Sequence, residues 1–130
     1  MSDHILENKI YYHDTDNGGV VYYGRYLEHL EEGRTEFLRV KGVDTAEYAK
    51  NGMLFPVVHL EIDYKSSARY GDTISIYTRL DKVGNASVTF SQTIKRGETI
   101  LLTAKTVWAC VDLNMKVRRV PDSIRNISSQ

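Results

Sequence analysis

From Tyr23 to Lys41 apolar side chains return every three or four residues: Tyr23, Tyr26, Leu27, Leu30, Phe37 and Leu38. Glu28, Glu31, Glu32, Arg34, Glu36 and Arg39 fill most positions between them, so the spacing predicts an amphipathic helix of about five turns. Gly42 stands where a left-handed residue ends such a helix. Gly33 interrupts it, and an interior glycine costs about 1 kcal/mol against alanine. It falls on the stripe Tyr26, Leu30, Gly33, Phe37, which predicts that another backbone approaches the helix there. A shorter helix is expected from Asp44 to Asn51, stopped by Gly52.

Beyond it the period falls to two. Val58, Leu60, Ile62 and Tyr64 alternate with His59, Glu61 and Asp63, and Ile74, Ile76 and Leu80 alternate with Ser75, Tyr77 and Arg79. Val88, Phe90 and Ile94 continue the pattern, and a run from Thr99 to Val111 adds a last strand. Tyr70-Gly71-Asp72, Gly84-Asn85 and Arg96-Gly97-Glu98 read as tight connections between antiparallel neighbours. Residues 5 to 12 supply a first strand, and the ends, MSDH and NISSQ, read as short polar tails. The order predicts an α+β fold, one long helix on an antiparallel sheet of about five strands, and excludes a parallel βαβ sheet.

A chain of 130 residues without repeats or a Pro/Gly/Ser linker is expected to form one domain, residues 1–130. With 17 basic and 17 acidic residues it has no overall field to hold nucleic acid or an anionic membrane. A single cysteine, Cys110, forms no internal disulfide and is expected in the core. No Cys/His spacing resembles a metal site. With no export signal and no run near ~18 apolar residues, the expected location is the cytoplasm.

The remaining feature is His13-Asp14-Thr15-Asp16-Asn17-Gly18-Gly19, just before the long helix. Asp, Asn and Gly build turns and caps, so a plain strand-to-helix connection is one reading. A calcium loop fails, because its twelfth position is Arg25 where a bidentate Glu is required. A phosphoryl-transfer aspartate needs a parallel sheet. The reading with chemistry places a carboxylate beside N–H groups at a helix start, which are donors for an oxygen that gains negative charge. That pairing suits acyl transfer.

Residues 14 to 38, D-T-D-N-G-G-V-V-Y-Y-G-R-Y-L-E-H-L-E-E-G-R-T-E-F-L, resemble the signature of the 4-hydroxybenzoyl-CoA thioesterase-like family, which includes the Tol-Pal-associated acyl-CoA thioesterases. I-D-Y-K-S-S-A-R-Y-G-D, residues 62 to 72, resembles its second block, so the resemblance covers nearly the whole chain. It implies the hot-dog fold, a curved antiparallel sheet wrapped around one helix, and hydrolysis of an acyl-CoA thioester. It puts the catalytic carboxylate at Asp16, its support at Asp14, and the backbone N–H that holds the thioester oxygen near Tyr23. Gly18-Gly19 becomes the bend that lets the substrate carbonyl reach the helix start. Two departures are Tyr23, where many Tol-Pal-associated members carry His, and Ser67, where the family usually has Pro.

An acyl group laid along the helix would meet Leu27 and Glu31, one and two turns beyond Tyr23. Glu31 either faces a polar acyl end or is solvated, and His59 either lines the site or lies on the surface. His4, His13 and His29 share no spacing and are read as no ligand. Lys65, Arg69, Lys82, Arg118 and Arg119 are candidates for the CoA phosphates. No cofactor or metal is implied beyond the CoA of the substrate. Hot-dog proteins pair sheets side by side and build each site between protomers, so a homo-oligomer is expected, a dimer or a tetramer. The rivals are a hot-dog hydratase or dehydratase, and a non-catalytic acyl-CoA-binding protein.

Overall fold

The structure is a computed structural model that describes residues 4–16 and 18–128; Asn17 of the expected turn and the extreme ends lie outside these. Strand β1 (His4–Lys9) is followed by a single 3-10 turn at Tyr12–Asp14, helix α1 (Arg25–Val40) and the short α2 (Thr45–Lys50). Strands β2 (Met53–Leu54), β3 (Val57–Tyr64), β4 (Thr73–Val83), β5 (Ser87–Arg96), β6 (Thr99–Ala109) and β7 (Val111–Asp112) precede helix α3 (Asp122–Ser128). The main sheet is antiparallel, in the order β1-β4-β5-β6-β3, and β2 pairs with β7 in a separate ribbon.

Local signals explain where α1 stops. Gly42 takes φ +83°, and Val43 N–H reaches back to the Leu38 carbonyl at 2.9 Å, the reverse turn that satisfies the last carbonyls of a helix. Asp44 then caps α2, accepting from the Ala46 N–H at 2.9 Å.

Four expectations change. The segment around Tyr70-Gly71-Asp72 is no hairpin: β3 lies at one edge of the sheet and β4 beside β1, so residues 65–72 cross over between them. The first strand is shorter than expected and turns at Tyr12–Asp14. The run from Thr99 ends at Ala109, and the chain leaves the main sheet to pair with β2. The C-terminal segment is a helix, because Ile124 and Ile127, three residues apart, are both buried against the sheet.

The core divides at the middle of α1. Tyr26 and Leu30 from its first half pack with Ile74, Ile76, Ile94 and Leu102. Phe37 and Leu38 from its second half pack with Leu80, Phe90, Trp108 and Ile124. A buried polar seam of Arg34, Thr78, Gln92 and Thr106 runs between them. Gln92 Nε2 donates to the Leu30 carbonyl at 2.9 Å and to Thr78 Oγ1 at 3.0 Å, and Arg34 Nη1 donates to Gln92 Oε1 at 3.1 Å. Gly33 sits on this seam: a Cβ there would meet Ile76 Cγ2 at 2.6 Å and Thr78 Oγ1 at 2.9 Å. The close approach is therefore made by side chains of β4 and β5, not by another backbone.

Candidate functional site

The D-T-D segment is one strand of a small hairpin. Tyr22 N–H donates to the Asp14 carbonyl at 3.0 Å and Asp16 N–H to the Val20 carbonyl at 3.0 Å, with Gly19 at φ +78° in the turn. The crossover after β3 adds a third strand to it: Val21 N–H donates to the Ala68 carbonyl at 2.9 Å, and Tyr70 N–H to the Gly19 carbonyl at 3.4 Å. Ala68 N–H in turn donates to Tyr26 Oη on α1 at 2.9 Å, and both residues are buried. Arg96 Nη1 ties the crossover from β5, donating to the Ser67 carbonyl at 2.7 Å. The two sequence blocks, about 45 residues apart along the chain, thus become one layer against the start of α1.

Within that layer the two aspartates have different surroundings. Asp14 is 3% exposed, and its Oδ2 accepts from Tyr11 N–H at 2.9 Å. Its Oδ1 lies 3.4 Å from Arg25 Nη2 and 3.5 Å from His29 Nε2, both one flank of α1. Asp16 is exposed; its Oδ1 accepts from Gly18 N–H at 2.8 Å, and Oδ2 has no partner among the described residues. A held carboxylate therefore stands two residues from one presented to solvent.

The start of α1 is wound tightly. Arg25, Tyr26 and Leu27 N–H donate to the Tyr22, Tyr23 and Gly24 carbonyls at 2.8, 3.3 and 3.2 Å, so the first helical donors are largely engaged by residues three back. Among the described residues the N–H groups of Tyr23 and Gly24 meet no acceptor. A Cβ on Gly24 would lie 2.7 Å from the half-exposed Tyr22 ring, which packs over this turn. Tyr64 of β3 donates its hydroxyl to the Tyr23 carbonyl at 3.2 Å, which ties the edge strand to this turn. Burial, reinforced by the neighbouring tyrosines, raises the Tyr64 phenol above its usual range and keeps it a donor.

Beyond the turn, Leu27, Leu30, Glu31 and Arg34 of α1 face Val57 and Leu60 of β3 and Thr106 of β6 across a mostly apolar groove of about 260 Å³. Past Arg34 a second cavity of about 350 Å³ continues toward Met53, Phe55 and Trp108. Arg34, at 6% exposure, forms the partition. Burial lowers its pKa to about 10, with Glu31 opposing that shift, and no carboxylate among the described residues lies within ion-pair distance.

Of the residues singled out in the sequence, Asp16 and Gly19 lie at the turn end of the hairpin whose other end runs through Tyr22 into Tyr23 and the helix start, and Leu27 and Glu31 line one groove. His59 stands elsewhere. It pairs with Val107, whereas groove-lining Leu60 pairs with Thr106, so its ring projects to the opposite face of the sheet, 3.0 Å from Glu61. That hydrogen bond holds the Glu61 carboxyl below the usual range. Among the basic candidates, Arg69 of the crossover pairs with Val20 of the D-T-D hairpin, and Lys65 opens the crossover with its N–H on the Leu101 carbonyl of β6. Arg118 and Arg119 are occupied by Asp112 and Asp122 at 3.6 and 3.0 Å. Sequence reasoning missed Arg25, His29 and Tyr64; the i, i+4 spacing of Arg25 and His29 was visible, but not the Asp14 they meet.

Residues 11–127 match the thioesterase-like superfamily. The chain is 37% identical over 119 residues to the acyl-CoA thioesterase YbgC of Haemophilus influenzae, covering 90% of this chain and 88% of that protein. The crystal structure of a probable thioesterase from Bartonella henselae superposes with a TM-score of 0.88 at 36% identity, over 92% of this chain and 100% of that one. The DHNA-CoA thioesterase of Staphylococcus aureus superposes with a TM-score of 0.91 at 25% identity, over 99% and 93% of the two chains.

Proposed function

The chain belongs to the thioesterase-like superfamily, has the hot-dog fold and hydrolyses acyl-CoA thioesters; from that premise we propose that Asp16 is its reacting carboxylate and that the start of α1 holds the thioester carbonyl. The observation that carries this reading is an exposed, half-engaged carboxylate on the hairpin that leads directly into the acceptor-free N–H groups of Tyr23 and Gly24. Donors already aimed at the developing oxyanion need no reorganisation as charge builds on it, which is where most of the rate gain in such sites arises. Asp16 then either attacks the carbonyl carbon, expelling CoA thiolate and leaving a mixed anhydride that water hydrolyses, or takes a proton from the water that attacks; in both routes the proton that turns the leaving thiolate into the thiol comes from water.

The acyl group runs along α1 past Leu27 and Glu31 into the groove closed by Leu60 and Val57. The wall opposite α1 is β3, which is paired on one side only and exposes Val57, Val58 and Leu60. A second copy seated on that edge completes the wall, so the active form is a homo-oligomer, a dimer or a tetramer. The enzyme works in the cytoplasm and needs no cofactor beyond the CoA of its substrate. Lys65 and Arg69 are the basic residues placed to meet the CoA phosphates, and His59 has no part in one protomer's groove.

Thiol release from a panel of short, long and aromatic acyl-CoAs defines the substrate, and Asp16→Asn tests the mechanism. The variant is expected to fold normally and to lose about 10² to 10⁴ in kcat; turnover within a few-fold of wild type refutes the assignment. Single-turnover hydrolysis in ¹⁸O-water identifies direct attack, because a mixed anhydride opened by water at the Asp16 carbonyl releases a first acid without label and leaves the label on Asp16.

A further inference from the structure

On the flank of α1 away from the acyl groove lies a buried group that the hydrolysis scheme does not use. At 100° per residue, His29 stands on the other side of the helix from Leu27 and Glu31, and it is 7% exposed. Its Nδ1 lies 3.0 Å from Asn8 Nδ2 of β1. The same Nδ2 donates to Glu32 Oε1 at 2.7 Å, which requires the amide nitrogen, not the oxygen, to face this way. An amide nitrogen only donates, so Nδ1 is the acceptor and the neutral ring carries its proton on Nε2.

That proton has nowhere to go in the resting protein. Nε2 is buried without a hydrogen-bond partner, and the nearest acceptor, Asp14 Oδ1, is 3.5 Å away. A buried N–H left unmade destabilises the fold, and an apolar ring of the same size would avoid this. The groups around the ring are Asn8 from β1, Asp14 from the D-T-D hairpin, and Arg25 and Glu32 from α1. Asp14 is the node that joins them: its carboxylate takes Tyr11 N–H and faces Arg25, while its carbonyl takes Tyr22 N–H.

We propose that His29 is a positioning residue for the hydrolysis: its Nε2–H and the Asp14 carboxylate form a catch that closes to a hydrogen bond when acyl-CoA binds, pressing the D-T-D hairpin, and with it Asp16, onto the start of α1. The inference rests on the reading of Asp16 as the reacting carboxylate. Hydrogen bonds in ligand-free sites are often long and shorten in the substrate complex, and a gap of 3.5 Å needs only a sub-ångström approach to close. Misplacement of a reacting group by about 1 Å can cost ~10² in rate.

The test uses steady-state kinetics with thermal unfolding. His29→Phe keeps the bulk and removes the proton; kcat is expected to fall by about 10- to 100-fold, KM to stay within about two-fold, and the melting temperature not to drop. His29→Gln, which returns a donor near Nε2, restores most of kcat. In the Asp14→Asn background, His29→Phe adds no further loss, since both act through one contact. Wild-type kcat in His29→Phe, equal losses in His29→Phe and His29→Gln, or losses that multiply with Asp14→Asn overturn the proposal. If His29→Phe fails to fold, Asn8→Ala takes its place: with Nδ1 released, the ring proton is no longer held on Nε2, and kcat falls several-fold, whereas unchanged kcat overturns the catch. Asp16→Asn in the same assay keeps the readings apart, because an inactive Asp16→Asn beside a fully active His29→Phe removes the catch alone.

Discussion

Replacing Gly33 by alanine sets two opposed effects against each other, and the structure says which prevails. By helix propensity alone the substitution stabilises α1 by about 1 kcal/mol. The new methyl, however, arrives 2.6 Å from Ile76 Cγ2, 2.9 Å from Thr78 Oγ1 and 3.0 Å from Gln92 Nε2. Ile76 and Thr78 are β-branched, fully buried and on a central strand, so neither rotates away. Overpacking of this kind costs about 1–3 kcal/mol. If Gln92 is displaced, its bonds to the Leu30 carbonyl and Thr78 are lost in the interior, at about 1–3 kcal/mol more. The expected net is a destabilisation of about 2–3 kcal/mol, with the propensity gain already subtracted, or roughly 10 °C in Tm for a chain of this size. Urea unfolding followed by circular dichroism, at one fixed protein concentration so that the proposed association enters both proteins equally, measures it. A Gly33→Ala protein as stable as wild type, or about 1 kcal/mol more so, would refute the claim that the seam side chains require this glycine.

Tyr26→Phe strands the buried Ala68 N–H and is expected to cost about 1–3 kcal/mol; a loss below a few tenths shows that water replaces the hydroxyl. Burial is the main cause that raises the Tyr26 pKa above 10.0, so the unfolded chain ionises first, and the stability this residue contributes is full below pH 10 and declines above it. Arg34, lowered to about 10, titrates over the same range with the opposite sign, so the difference between wild type and Tyr26→Phe is the quantity to follow. For assembly, sedimentation at micromolar concentration is expected to show a dimer or larger species, and Val58→Lys on the free edge of β3 is expected to yield an inactive monomer; a monomeric, active wild type rules out the shared-site arrangement.

How much of this was legible in advance differs from residue to residue. The stripe from Tyr23 to Leu38 and the alternation through β3 to β6 repeat many times, so the long helix and the antiparallel strands could be read from their periods. The α3 helix could not, because Ile124 and Ile127 provide a single turn of pattern. The glycine at position 33 announced a close approach, yet whether backbone or side chains made it depended on β4 and β5. The aspartate pair was recognisable because its spacing and the glycines after it lie within one short segment.

By itself, then, the sequence determined the long helix, the main strands, their antiparallel character and the short segment proposed to carry the chemistry, because each of these is set by neighbours a few residues apart. Only the tertiary structure decided the strand order, which turns residues 65–72 into a crossover and brings the second block against residues 19–21 of the D-T-D hairpin. It also decided which aspartate is held and which is presented, put His59 on the far face of the sheet, and brought Asn8, Asp14 and His29 together. Those outcomes depend on pairings between residues 11 or more positions apart, which hydrophobic periodicity along the chain does not encode.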